Sequence, residues 1–176
     1  MRALRSYYSQ GHHYTGSAFD ELITSSDPNK FTSQDLIAVS MLSVNVPPRA
    51  SLGLLGGAGD ELLAAIPTAA SLWSNPELLD RDGHAWRLWD LVKSYDDVGP
   101  TKTSKILAAK RPNLIPVYDE HVRAALKIDK KAIWHFWQEV AENPQSSLLR
   151  TEVENARVSA GVPATVSDLR IIDVVV

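Results

Sequence analysis

The sequence predicts an all-α single domain over residues 1–176, and three observations carry that prediction. Apolar residues recur at helical spacing along most of the chain. Pro and Gly punctuate it at intervals suited to short helices, at Pro47-Pro48, Gly99-Pro100, Pro116 and Gly161. No stretch outside the C-terminus shows the period-2 alternation of a half-buried strand. With 44% apolar residues in 176, the chain can bury a core of its own.

Taken in order, residues 6–16 are aromatic and polar, with Tyr7, Tyr8, His12, His13 and Tyr14. Such an arm packs onto the body of a domain or, alternatively, stacks on a ligand. His12-His13 is a poor metal motif because adjacent side chains diverge, and no third ligand is evident; neither a metal nor another cofactor is expected. A short helix is expected over residues 17–24. Thr32-Ser33 then caps a helix whose Leu36, Ile37, Val39, Met41 and Leu42 are apolar nearly all round, predicting a central core element that stops before Pro47-Pro48.

Short helical pieces over 51–55 and 61–66 flank the Gly56-Gly57-Ala58-Gly59 turn, which lacks the context of a nucleotide loop. Helices are expected over 72–79 and 85–94, the second presenting Trp86, Leu88, Trp89 and Val92 on one face. Ile133, Trp134, Phe136 and Trp137 mark a packed helix over 131–142. Pro144 opens another that runs to Ala160 and is closed by Gly161 and Pro163. Residues 169–176 fit a buried helix or a strand equally well.

The most informative stretch is Val98 to Ile128. Gly99-Pro100 is a breaker pair, and Thr101 or Thr103 can cap a helix ending near Ala109. Pro112 and Pro116 bracket an extended segment. Asp119 stands where the next helix opens, with Val122, Ala125 and Leu126 behind it. Residues 101–131 hold eight Lys and Arg against three Asp and Glu, a local +5 within a chain of net charge −3, so the remainder carries −8. A basic segment in an acidic protein fits a phosphate-facing surface; the alternative is an ordinary pair of helices with solvated lysines. Asp119 has two readings as well: a carboxylate for chemistry, or a helix cap and nothing more.

Val98-Gly-Pro-Thr-Lys-Thr-Ser-Lys, followed by Pro116-Val-Tyr-Asp-Glu-His-Val-Arg, resembles the helix-hairpin-helix DNA glycosylase superfamily. The Leu36-Ile-Ala-Val-Ser-Met-Leu-Ser43 segment is similar to an earlier helix of the same enzymes. Together these patches cover about 40 of the 176 residues. The resemblance implies a glycosylase-like helical fold with the motif within about residues 86–128. It implies Asp119 as the catalytic carboxylate and DNA as partner, with its backbone held by Val98, Gly99, Thr101, Lys102 and Lys105. Tyr118, Trp86 and Tyr14 are candidates for the base pocket.

The sequence departs from the family pattern at three places. Thr101 falls where bifunctional members carry a Schiff-base lysine, which implies a monofunctional enzyme without a lyase step. Asp97 replaces the first hairpin glycine, and Val44-Asn45 replace glutamines that enter the duplex. The expected function is therefore excision of a modified or mismatched base by a divergent member; the alternative is a non-catalytic module that holds DNA or a protein. No transmembrane run or secretory h-region is present, and a cytoplasmic protein is expected.

Overall fold

The computed structural model describes residues 2–9, 14–129 and 132–176. His12, His13, Lys130 and Lys131 therefore lie outside the described residues. Those described form eleven α-helices and one 3-10 turn, with no strand among them. In order, the helices are α1 (Arg2–Tyr8), α2 (Gly16–Thr24), α3 (Ser33–Met41), α4 (Pro48–Leu55) and α5 (Asp60–Ala64). They continue as α6 (His84–Lys93), α7 (Pro100–Lys110), α8 (Glu120–Leu126), α9 (Ile133–Glu142), α10 (Ser146–Ala160) and α11 (Asp168–Val175).

Local chemistry accounts for most boundaries. Thr32 caps α3 in a full capping box, its hydroxyl accepting from the Asp35 N–H while the Asp35 carboxylate accepts from the Thr32 N–H. Gly161 ends α10 at φ 69°, a conformation that glycine adopts without a steric penalty. Ser167 caps α11 through the Arg170 N–H, which settles the C-terminal segment as helix.

α1 packs on α10 and α11, so the start of the aromatic segment lies against the body of the domain, the first of its two readings. Three expectations need correction. The expected helix over 72–79 is only a 3-10 turn, Pro76–Leu79, because Pro76 keeps Asn75 out of the helical region. The Leu72 N–H instead donates to the Asn113 carbonyl at 2.8 Å. Neither Thr101 nor Thr103 caps α7; Gly99 is the N-cap, Pro100 takes the first helical position, and the Thr103 hydroxyl donates back to the Gly99 carbonyl.

The third correction concerns the centre of the fold. α3 is not buried all round, since Ile37 is half exposed. The enclosed helix is α7, in which every residue from Thr103 to Lys110 is buried. It packs on α2, α3 and α6. A helix containing Thr103, Ser104, Lys105 and Lys110 can sit there because each polar group has a fixed partner. The Lys110 Nζ reaches the Asp35 carboxylate at 2.6 Å, the Asp27 carbonyl at 2.7 Å and the Ser26 hydroxyl at 3.0 Å. Arg111, next in the chain and 1% exposed, spreads its guanidinium over the carbonyls of Pro28, Leu63, Ile66 and Lys110. Much of the basic segment is thus internal scaffolding. No helix among the described residues is long and apolar enough to cross a membrane.

Candidate functional site

Asp119 is the N-cap of α8, as its position in the sequence predicts. Its Oδ1 accepts from the backbone N–H groups of His121 at 3.0 Å and Val122 at 3.1 Å. Its Oδ2 faces the Lys105 ammonium at 3.3 Å, and that same Nζ donates to the Leu42 carbonyl at 3.0 Å. Lys105 therefore links the end of α3 to the start of α8 through α7. Partial burial alone would push the Asp119 carboxyl up; the Val122 N–H, the Lys105 ammonium and the His121 N–H outweigh it and hold the group below its ordinary value. With 24% of its side chain exposed, Asp119 is an ionised carboxylate whose open edge faces a cavity.

The segment leading to Asp119 is pinned by Ser104, which is fully buried. Its hydroxyl accepts from the Tyr118 N–H at 3.0 Å and lies at 3.0 Å from the carbonyls of both Thr101 and Tyr118, to one of which it donates. Sequence reasoning did not single out Ser104, because a serine within a helix is usually a solvated or weakly structural residue.

The cavity measures about 530 Å³, within the size range of a small-molecule site. Asp119, Lys105, His121, Tyr7, Tyr14 and Arg170 are among the residues that line it. Tyr14 stacks on Tyr7 with ring centroids 6.2 Å apart and 63% of its surface exposed, so one aromatic face remains available. Tyr7 is held by the Arg170 guanidinium, which also pairs with Asp173 and Asp20. Burial of the Asp20 carboxyl and of the Tyr8 phenol, which donates to it, raises both groups despite the nearby Arg170.

Gly16 makes the Tyr7 position possible: a Cβ there would lie 1.6 Å from the phenol oxygen. Gly16→Ala is expected to displace the ring and cost about 1–3 kcal/mol, the usual penalty of overpacking. Urea unfolding, together with the loss of Tyr7 ring contacts in NMR spectra, would measure it; an unchanged midpoint would count against the packing described.

The sequence candidates do not all meet in one place. Asp119, Lys105 and Tyr14 converge on this cavity. Lys105 is not the exposed phosphate contact expected of it, since it is buried and engaged with Asp119 and Leu42. Trp86 is not in this cavity but in a separate cluster with Trp89 and Trp134. Tyr118 does not line the cavity either; its ring is buried in the core.

Val98 and Gly99 lead into α7, and Thr101 and Lys102 lie in its first turn. Val98 is buried, Gly99 is exposed, and the Lys102 Nζ donates to the Asp97 carbonyl at 2.9 Å. Asp97 itself adopts φ 61°, a left-handed conformation that favours glycine. Among the described residues no cluster of three or more His, Asp or Glu could hold a metal ion.

A family model matches residues 1–176, the whole chain. The chain belongs to that family, a family of unknown function, DUF6308. No curated protein and no solved structure matches this DUF6308 chain. Its functional reading therefore rests on the residues of the Asp119 cavity.

Proposed function

We propose that this DUF6308 chain is a monofunctional, helix-hairpin-helix-type DNA glycosylase that uses Asp119 to release a base drawn out of the duplex. One observation carries the reading: an ionised carboxylate, fixed by two backbone N–H groups at a helix start, opens into a cavity large enough for a nucleobase and walled by tyrosine rings. Departure of a base leaves positive charge on the sugar, and a preorganised anion stabilises that charge. Water then forms the new bond at the sugar carbon while the base leaves with a proton. Tyr14 supplies a face for the extruded ring. The left-handed Asp97 at a position the motif gives to glycine, followed by the turn into α7, supports the hairpin part of the reading. Lys102 and the first N–H groups of α7 are its phosphate contacts.

A second reading has its own observation. Lys105 stands 3.3 Å from Asp119 and offsets the charge that catalysis needs. On that basis the chain is a binding module that keeps the scaffold without the chemistry. Alkali-developed base release from duplexes carrying damaged, mismatched and modified bases separates the two: wild type cleaves under the first reading and only binds under the second. Strand breakage without alkali would remove the monofunctional assignment.

Lys105 also fixes a pH dependence. A carboxyl held below its unfolded value stabilises the fold above about pH 4, and that contribution is lost as pH falls through the lowered folded value. Lys105→Met removes one of the groups lowering Asp119, so the carboxyl should titrate at higher pH. The acid limb of base release, and the Asp119 carbon resonance in NMR titration, should both move upward. An unmoved Asp119 titration would mean that the ammonium contributes little.

A further inference from the structure

The two buried lysines of α7 differ in one respect. The Lys110 ammonium directs its three protons at Asp35, Asp27 and Ser26. Among the described residues the Lys105 ammonium has two partners, the Leu42 carbonyl at 3.0 Å and Asp119 Oδ2 at 3.3 Å. An ammonium carries three protons, so one is left over. Lys105 also lines the Asp119 cavity and keeps 9% of its side chain accessible, against 1% for Lys110. Arg170 lines the same cavity, but its guanidinium is engaged by Asp20, Asp173, the Tyr7 hydroxyl and the Gly16 carbonyl. Lys105 is thus a fixed cation beside the carboxylate with a proton to give.

The inference rests on the reading in which Asp119 faces the sugar carbon. A cation 3.3 Å from that carboxylate is within reach of the base bonded to the same carbon. We propose that Lys105 is a second catalytic residue, the acid that protonates the departing base, and that the site takes bases that are neutral in the duplex rather than cationic ones. As the bond between the sugar carbon and the base nitrogen breaks, its electron pair goes to the base. The Lys105 ammonium gives that base a proton and becomes an amine. Water adds its oxygen to the sugar carbon, and the proton it sheds restores the ammonium. The two side chains divide the developing charge: Asp119 stabilises the sugar and Lys105 the base. A cationic base such as 7-methylguanine leaves as a neutral molecule and needs no proton, so the ammonium only repels it.

The test is single-turnover, alkali-developed base release by the full-length chain. The duplexes carry a neutral base (uracil, 5-fluorouracil, thymine or hypoxanthine) or 7-methylguanine. Wild type should release neutral bases, and Lys105→Met should lower that release by about 10²–10⁴-fold, the usual contribution of an acid catalyst. The loss should be smaller for 5-fluorouracil than for uracil, because its anion is the better leaving group, and 7-methylguanine release should be equal or faster. Lys105→Gln, which keeps a donor for the Leu42 carbonyl, should show the same grading, and urea unfolding of each variant separates it from a folding defect. Asp119→Asn should lower every base alike, so the two residues are read separately. Equal fractional losses on all bases in the lysine variants would make Lys105 scaffold only. Release of 7-methylguanine alone by wild type would overturn the proposal and leave the Asp119 reading standing. Release of no base by wild type would overturn both.

Discussion

Asp119→Asn is expected to lower base release by about 10²–10³-fold or more while the chain still folds. The substitution is informative because Asn caps a helix as well as Asp does, so the bonds from the His121 and Val122 N–H groups survive. What changes is the charge. The fold pays a secondary cost, because Lys105 keeps the Leu42 carbonyl but loses its anion. A fully buried pair broken on one side costs about 3–5 kcal/mol. Asp119 keeps a quarter of its side chain in contact with solvent, so about 1–2 kcal/mol is expected here. Asp119→Ala should cost about 1 kcal/mol more, since the cap is lost as well. Base release and urea unfolding measured on all three chains separate charge from cap. Equal release by wild type and Asp119→Asn would exclude Asp119 from the chemistry and leave it a capping residue.

How far the site was legible follows from what each signal encodes. The helix starts at Asp119 and Thr32 were readable because capping is a local rule, decided within about four residues. The burial of α7 was not, because periodicity treats Lys and Ser as outward-facing, whereas here distant carbonyls and carboxylates meet them. One such partner of Lys105, the Leu42 carbonyl, lies 63 residues away in sequence. Trp86 shows the converse: its aromatic character was legible, but which cavity it faced depended on α9 arriving from beyond residue 132. Tyr14 and Tyr7 reach the Asp119 cavity only because α1 docks on α11, a contact that spans nearly the whole chain.

The second large effect tests what the basic segment is for. Lys110 is 1% exposed at its side chain, and so is its partner Asp35. Burial pushes the Lys110 ammonium down from its ordinary value, and the Asp35 carboxylate opposes that shift. Lys110→Met preserves the length of the aliphatic stem but leaves the buried Asp35 carboxyl without its cation, with the Ser26 hydroxyl and the Thr32 N–H and hydroxyl as its remaining partners. The expected loss is about 3–5 kcal/mol, a large share of the stability of a domain this size. Lys127→Met, at an exposed position, should stay within about 0.5 kcal/mol of wild type. Were Lys110 a phosphate contact, its removal would instead weaken DNA binding and flatten its salt dependence, with little effect on unfolding. The geometry commits to the first outcome, because an ammonium with three protein acceptors and no exposed surface has no proton left for a phosphate. Denaturation and salt-titrated binding on the same two variants decide between scaffold and contact, and a stable Lys110→Met chain would reopen α7 as a DNA-facing surface.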